Sequence, residues 1–507
     1  MKFKFIIATV LGAMAFAACS NDKNEGTEPV TGDYTKAFVS LNVVTPTSDN
    51  TRAPGSSDEQ NGTPTESDIK SLYVVLFDAD GKISSAPNAT LAYTKLVGTD
   101  LKTPDVFEVS SKAKSILIFA NPGTALLTKI QSAAKGTSFN AFNAAITGVT
   151  ATEVTTAATG FTMTNAEGLV DISANVKVVG DGAGQYPTDQ AAKDEATKPA
   201  NRKELKIERI SAKVAFDALA DNAITVTTTH PNPAVAKFSF TGWQLDLVNG
   251  VFYPLAEKVE LTVPHTGTFY QKNFYTIDPN YTDGTGLIVN STASLPAWKA
   301  RDTDEYVLEN TMSKEAQNYE NATRLIVKAT YYPENTWTAD WFSYAGLDYE
   351  TLADLQVAYA IPSNVALQTV CDQFLVLAKT ASAKAGNTLI PAGITFETLT
   401  QAHLNGIANG GEETKGDSQG LRWYQGGLCY YFYVLRHDNT ANMPAMALGK
   451  YGVVRNNWYD LNLTKVNGAG TPWYPTPGPG PIDELNGYLG ITVNVAPWVY
   501  WSNDIEI

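Results

Sequence analysis

The chain has 507 residues, 44% hydrophobic and 18% charged, with a formal net charge of −15 at pH 7. That length holds two or three domains and that composition is ordinary for a folded protein. The acidic balance argues against nucleic acid and against a polybasic membrane contact, and three cysteines cannot make a disulfide framework.

Met1–Ser20 has Lys2 and Lys4, an apolar run and then small residues, which reads as a secretory signal too short for a spanning helix. Its Phe16-Ala17-Ala18-Cys19 ending resembles a bacterial lipoprotein box, with Phe16 where Leu is commoner. Cys19 would then become a lipidated N-terminus, anchoring the chain to a membrane rather than threading it through; an ordinary signal cut near Ala18 is the alternative. Asn21–Lys36 is a polar, acidic spacer. Ala37–Val44 alternates, with Ala37, Val39, Leu41 and Val43 on one face, the pattern of a half-buried strand. The polar loop Thr45–Ser67 follows and contains Arg52, the first arginine of the chain. Such loops are where proteases cut, although a lone arginine on a loop is by itself simply solvated.

Ser71–Phe77 reads as a buried strand. Asp78-Ala79-Asp80-Gly81-Lys82 starts like a calcium loop, but no further ligands follow at the required spacing, so it reads as a hairpin turn. Val106–Val109 and Ser115–Ala120 are further strands, and Ser138 caps a short helix carrying Phe139, Phe142 and Ile146. Thr150–Asp194 reads as loops and short strands, and Leu205–Phe216 as one long strand closing a first β-sandwich block. From Ala218 the strands become longer and more aromatic: Phe238–Leu247, Val259–Val263, Leu325–Tyr332, Leu428–Leu435 and Trp458–Val466. Helices are expected within Gly346–Tyr359 and Ser363–Lys379. The Pro/Gly-rich run Thr471–Pro481 should be extended and hold the last stretch, Ile491–Ile507, away from the body. In that stretch Ile491, Val493 and Val495 alternate with polar residues, so one strand face is built for burial.

Catalytic patterns are missing from the sequence. His230, His265, His403 and His437 share no ligand spacing, and there is no Walker loop, dinucleotide fingerprint, nucleophile elbow or zinc-protease helix, so neither enzyme, metal nor cofactor is expected. Trp423-Tyr424 could stack on sugars, but aromatics in sandwiches more often fill cores. Cys371 and Cys429 read as buried apolar thiols rather than a bridge.

Taken together the two ends resemble the fimbrillins of Bacteroidia, subunits of type V pili, and most nearly the minor fimbrillin shaft subunit of Porphyromonas. The likeness rests on the lipobox, on Asn50-Thr51-Arg52-Ala53, on Glu208-Arg209 with Ala212, on Phe342–Leu347 (FSYAGL), on Val453–Tyr459 (VVRNNWY), and on Val495, Pro497 and Trp498 before an acidic-apolar finish. It implies a mainly β fold of two transthyretin-like β-sandwich domains with short helices and a C-terminal donor strand. The implied division is a signal peptide at 1–19, a leader with a removable strand at 20–52, an N-terminal sandwich at 53–217, a C-terminal sandwich at 218–470, and tether and donor strand at 471–507.

The resemblance also implies a mechanism. A lipoprotein precursor, palmitoylated at Cys19, reaches the outer membrane, and a trypsin-like, Arg-specific protease cuts between Arg52 and Ala53. The strand bearing Ala37, Val39, Leu41 and Val43 leaves, and the terminal strand of the next subunit, with Ile491, Val493, Val495 and Trp498, takes its place by strand addition. Partners are then identical subunits, with anchor and tip subunits, in an extracellular fimbria serving adhesion and biofilm formation. Alternatives are a tip or anchor subunit, or a monomeric surface lipoprotein that binds glycans. Cys19→Ala should abolish labelling of the precursor by palmitate and its retention in the membrane fraction; undiminished labelling rules out the lipobox.

Overall fold

Runs in which β-branched and aromatic residues alternate become strands because such side chains pack well on a pleated surface, and the chain is mainly β with a few short helices, as the sequence leads one to expect. The computed structural model describes residues 34–46, 63–87, 89–156, 158–221, 224–226, 236–261, 274–290, 295–384, 390–405, 407, 420–438, 444–477, 482 and 489–497. Tyr34–Ile507 clusters as one compact unit.

The leader forms β1 (Lys36–Val39) and β2 (Leu41–Val44), and a single helical turn, α1 (Pro64–Ser67), precedes β3 (Leu72–Phe77). Then come β4 (Phe107–Ser110), β5 (Ser115–Ala120), the helices α2 (Thr124–Gln131) and α3 (Phe139–Phe142), β6 (Met163–Asn165), β7 (Lys177–Val178), helix α4 (Asp189–Ala196) and β8 (Lys203–Arg209). The main sheet runs β2-β8-β6-β5-β3, and β1 lies between β7 and β4 in a second sheet. Between them sits a core of Leu72, Val74, Ile116, Ile118, Leu205 and Ile207 with the leader's apolar residues. The opposite side of the main sheet is covered by Leu126 and Ile130 of α2 and Phe142 of α3. Every residue of β3 is therefore buried, which is why LYVVLF carries no polar alternation. The Asp78 carboxylate accepts the amides of Asp80 (3.0 Å) and Lys82 (2.9 Å), closing the expected hairpin turn. Ser138 caps α3 through the amide of Ala141, also as expected, but the helix ends at Phe142, and Ile146 lies in a two-residue strand paired with Val251–Phe252.

Two expectations need correction. Ala37–Val44 is not one strand: it breaks at Ser40 and passes from one sheet to the other. Leu205–Phe216 also divides, at Ile210, into β8 and β9 (Ser211–Ala218), which belong to different sheets. In both cases the chain turns a corner between packed sheets, which a strand does by a local bend.

Downstream lie β10 (Lys237–Asp246), β11 (Thr303–Leu308), β12 (Arg324–Tyr332), β13 (Trp341–Tyr344) and β14 (Leu347–Tyr349). Helices α5 (Leu352–Tyr359), α6 (Val365–Lys384) and α7 (Gln401–Asn405) follow, then β15 (Arg422–Tyr424), β16 (Leu428–Val434), β17 (Asn457–Val466) and β18 (Leu489–Pro497). One sheet contains β17-β9-β11 with β18 on the outer side of β17; another is β10-β12-β16. They face each other across Val214, Phe216, Trp243, Leu245, Val327, Tyr431, Leu461 and Leu463. The helical insertion has its own core around Leu355, Phe374, Leu404 and Trp423. Phe252, Leu255 and Leu308 join the cluster that backs the first main sheet, so the two sets of sheets share buried surface.

Cys371 and Cys429 are buried and unbridged. Burial pushes each thiol up to about 12, helped at Cys371 by the neighbouring Asp372 charge. Since the thiolate is the nucleophile, neither should react with iodoacetamide at pH 8 in the folded chain and both should in denaturant. Rapid alkylation of the native protein would contradict this burial.

Candidate functional site: the leader strands and the terminal strand

The four apolar residues expected to face inward do so: Ala37, Val39 and Leu41 are fully buried and Val43 is 2% exposed. β1 pairs antiparallel with β4, Ala37 opposite Val109 and Val39 opposite Phe107, and with β7, Ala37 opposite Val178. β2 instead runs parallel to β8, Leu41 opposite Lys203 and Val43 opposite Leu205. At the break the Lys203 amide donates to the Ser40 carbonyl (2.9 Å), and further on the Val43 amide donates to that of Lys102 (2.7 Å). At roughly 1.5–3 kcal/mol for each large apolar side chain, the leader is a substantial part of the core it fills. Phe38, which period-two reasoning places on the outer face, is buried as well, against Ala192 and Ala196 of α4. Period-two alternation carries no sign of this burial, because α4, which covers Phe38, shows no apolar stripe in sequence and reads there as loop.

Arg52, Ala53 and Cys19 lie outside the described residues. From Thr63 onward the described chain is held by polar contacts. The Thr63 amide donates to Glu66 (2.7 Å). The Glu66 carboxylate also accepts the Tyr306 hydroxyl (2.6 Å) and the Lys213 ammonium (3.3 Å). Lys213 in turn meets Asp304 at 2.8 Å and lies 4.0 Å from the centre of the Trp458 ring. Arg209, wholly buried, donates from Nε to the Glu66 carbonyl (2.7 Å), from Nη2 to Ser67 Oγ (2.7 Å) and from Nη1 to Asn456 Oδ1 (3.1 Å). The Glu208-Arg209 pair is thus split: Arg209 holds α1, and Glu208 pairs with Lys258 at 2.7 Å.

Ile491, Val493 and Val495 fall in β18, and Trp498 lies just beyond the described residues. β18 runs antiparallel to β17, with Ile491 opposite Leu463, Val493 opposite Leu461 and Val495 opposite Tyr459. Directly opposed residues share a sheet face, and those three residues of β17 are fully buried. The expectation of a strand held off the body is therefore corrected: in the single chain it extends its own sheet. Beside the apolar terminal strand an unpaired edge of β17 is a template for pairing. The tether is also partly docked. Thr471 and Tyr430 exchange backbone hydrogen bonds (2.8 and 2.7 Å), Gln244 donates to the Tyr474 hydroxyl (3.1 Å), and Arg324 donates to the Pro475 carbonyl (2.5 Å). Ile482 is buried among Met312, Val434 and Tyr451.

Burial pushes the Glu66 carboxyl up, but the Tyr306 hydroxyl, the Lys213 charge and the Thr63 amide outweigh it and hold the group below its ordinary value. A carboxyl depressed on folding stabilises the protein above its unfolded pKa of about 4.3 and loses that contribution as pH falls through the folded value. Glu66→Gln should therefore cost about 1–3 kcal/mol at pH 7, and the gap from the native chain should narrow below about pH 4. Urea unfolding at both pH values measures this; a gap that does not change with pH removes the ionised carboxylate from the account.

Two family descriptions match the sequence. Major fimbrial subunit protein (FimA) matches residues 37–209, from the leader to the arginine that holds α1. Major fimbrial subunit protein type IV, fimbrillin, C-terminal, matches residues 422–504, from β15 through the terminal strand. No curated protein matched the sequence. Among solved structures, a fimbrilin (FimA) of Porphyromonas gingivalis is 16% identical, covers 92% of this chain and 99% of its own, and has a TM-score of 0.41. A candidate cell adhesion protein of Parabacteroides distasonis is 12% identical over 92% of this chain and 98% of its own, with a TM-score of 0.43. The tip fimbrial protein Mfa3 of P. gingivalis, with a C-terminal truncation, is 10% identical over 91% and 100%, with a TM-score of 0.34.

Proposed function

Because the chain belongs to the fimbrillin family, we propose that it is a structural subunit of a cell-surface fimbria, exported as a lipoprotein and polymerised by strand exchange after cleavage at Arg52–Ala53. The observation that carries this reading is how the leader is seated. β1 and β2 supply four inward apolar side chains to the core, yet the downstream chain is anchored independently of them, through Glu66 and Arg209. A cut in the intervening loop frees one side and leaves the other in place.

The energetics favour exchange over simple loss. An emptied leader groove exposes apolar core and unpaired edges on β4 and β8, each of which is costly. When the terminal strand of a second copy enters, it gives up ladder bonds on β17 and makes similar ones in the groove, so the ladders largely offset. The difference rests on reburying the groove, less the ordering of tether and strand. Before cleavage the covalently attached leader competes at high effective concentration and blocks entry. Each contact uses different surfaces on the two copies and does not close on itself, so a filament grows. The pairing of β18 along its own β17 favours a second reading, a subunit that keeps its terminal strand and ends the filament as a tip.

Trypsin treatment of the purified chain separates the readings. Arg52→Ala should remain monomeric with its leader, and filaments of the native chain should begin at Ala53 by N-terminal sequencing. Val493→Asp should abolish filaments, because an unpaired carboxylate in an apolar groove costs several kcal/mol, whereas Thr492→Asp should assemble. Filaments that retain Lys36–Val44, or normal assembly of Val493→Asp, reject strand exchange.

A further inference from the structure

The outer side of the leader contains a second pocket. Phe38 is 3% exposed and lies against Ala192 and Ala196, both fully buried, with Val106, Val179 and Tyr186 around them. The Lys193 ammonium sits 4.9 Å from the centre of the Phe38 ring. Lys36 also reaches α4, bonding to Asp189 at 2.9 Å. One face of α4 is therefore built on the strand that strand exchange removes. A replacement that restored only the inner row of apolar residues would leave this face bare.

The terminal sequence contains a match to the leader. Leu41-Asn42-Val43 and Val493-Asn494-Val495 share the pattern apolar–Asn–apolar, and Asn42 is exposed. Superposing Asn494 on Asn42 fixes every other step, in either direction. Running against the leader, Trp498 falls at Phe38 and Ile491 at the buried Thr45. Ala496 falls at Ser40, where the leader itself breaks between sheets, and Pro497 at Val39, the end residue of β1 beside that break; a proline is tolerated at the first residue of a strand. Running with the leader, Gly490 falls at Phe38 and fills nothing. Reversal turns the parallel β2–β8 ladder antiparallel but the antiparallel ladders of β1 with β4 and β7 parallel, so the direction rests on the side chains rather than on the ladders; tryptophan is the aromatic that best attracts an ammonium such as that of Lys193.

We propose that the face of α4 bearing Ala192, Lys193 and Ala196 is a specificity pocket for the incoming strand of a second copy of this chain. Trp498 fills it, and that strand runs opposite to the leader it replaces. The inference rests on the strand-exchange reading given above. It is tested by cysteine pairs in the full-length chain, treated with trypsin and run on non-reducing gels. Ala192→Cys with Trp498→Cys should give a ladder of cross-linked multimers that reductant collapses, and Ala192→Cys with Gly490→Cys should not. Trp498→Phe should assemble at the native rate and Trp498→Ala several-fold more slowly. A ladder from the Gly490→Cys pair, or native-rate assembly of Trp498→Ala into filaments that lack Lys36–Val44, overturns the pocket and leaves strand exchange standing. Filaments that keep the leader overturn both.

Discussion

A buried guanidinium must be given acceptors, because leaving one without them costs far more than any single contact returns. Arg209 finds its acceptors on two distant stretches: Glu66 and Ser67, just after the leader loop, and Asn456, just before β17. The arginine itself ends β8, the strand beside the leader. One side chain thus ties together α1, the end of the first main sheet and the start of the strand along which the terminal segment lies. Lys213 reinforces this from β9 by bridging Glu66 and Asp304 under the Trp458 ring.

This arrangement makes the leader's two sides unequal. Its upstream side is held by ladders, by apolar burial and by the partly exposed Lys36–Asp189 pair, and ladders and apolar contacts are interactions that another strand of similar pattern can supply. Its downstream side is held by charged and polar groups buried together, which nothing generic replaces. Removing one member of such a buried set leaves its partners uncompensated, so the segment after the loop is the more firmly held of the two.

The sequence made the leader's inner face legible because only one face of it meets the main core, and a period of two records that directly. Phe38 was legible only as an outer residue. The helix covering it, DQAAKDEA, shows no apolar stripe beyond its alanines, so nothing announced a second buried face. The strand break at Ile210 left a trace: the apolar phase shifts from Leu205 and Ile207 to Ile210, Ala212, Val214 and Phe216. At Ser40 the phase is kept and the break is silent. The terminal strand's alternation records that one face is buried but not which edge receives it, and register against β17 is a tertiary matter. The prolines of the tether masked Tyr474 and Ile482, the residues that dock it.

The single-residue step at Ile210 has a mechanical consequence. β8 and β9 are one covalent run; β2 lies beside the first and β17 beside the second, and the chain passes from the end of β17 into the tether. A pull applied to a strand in the leader position and resisted at the tether travels along this path. It meets ladders whose hydrogen bonds lie across the direction of force, so they are loaded together in shear rather than opened one at a time. Between them the load is carried by backbone covalent bonds, and the helical insertion and long loops stand outside the line of tension.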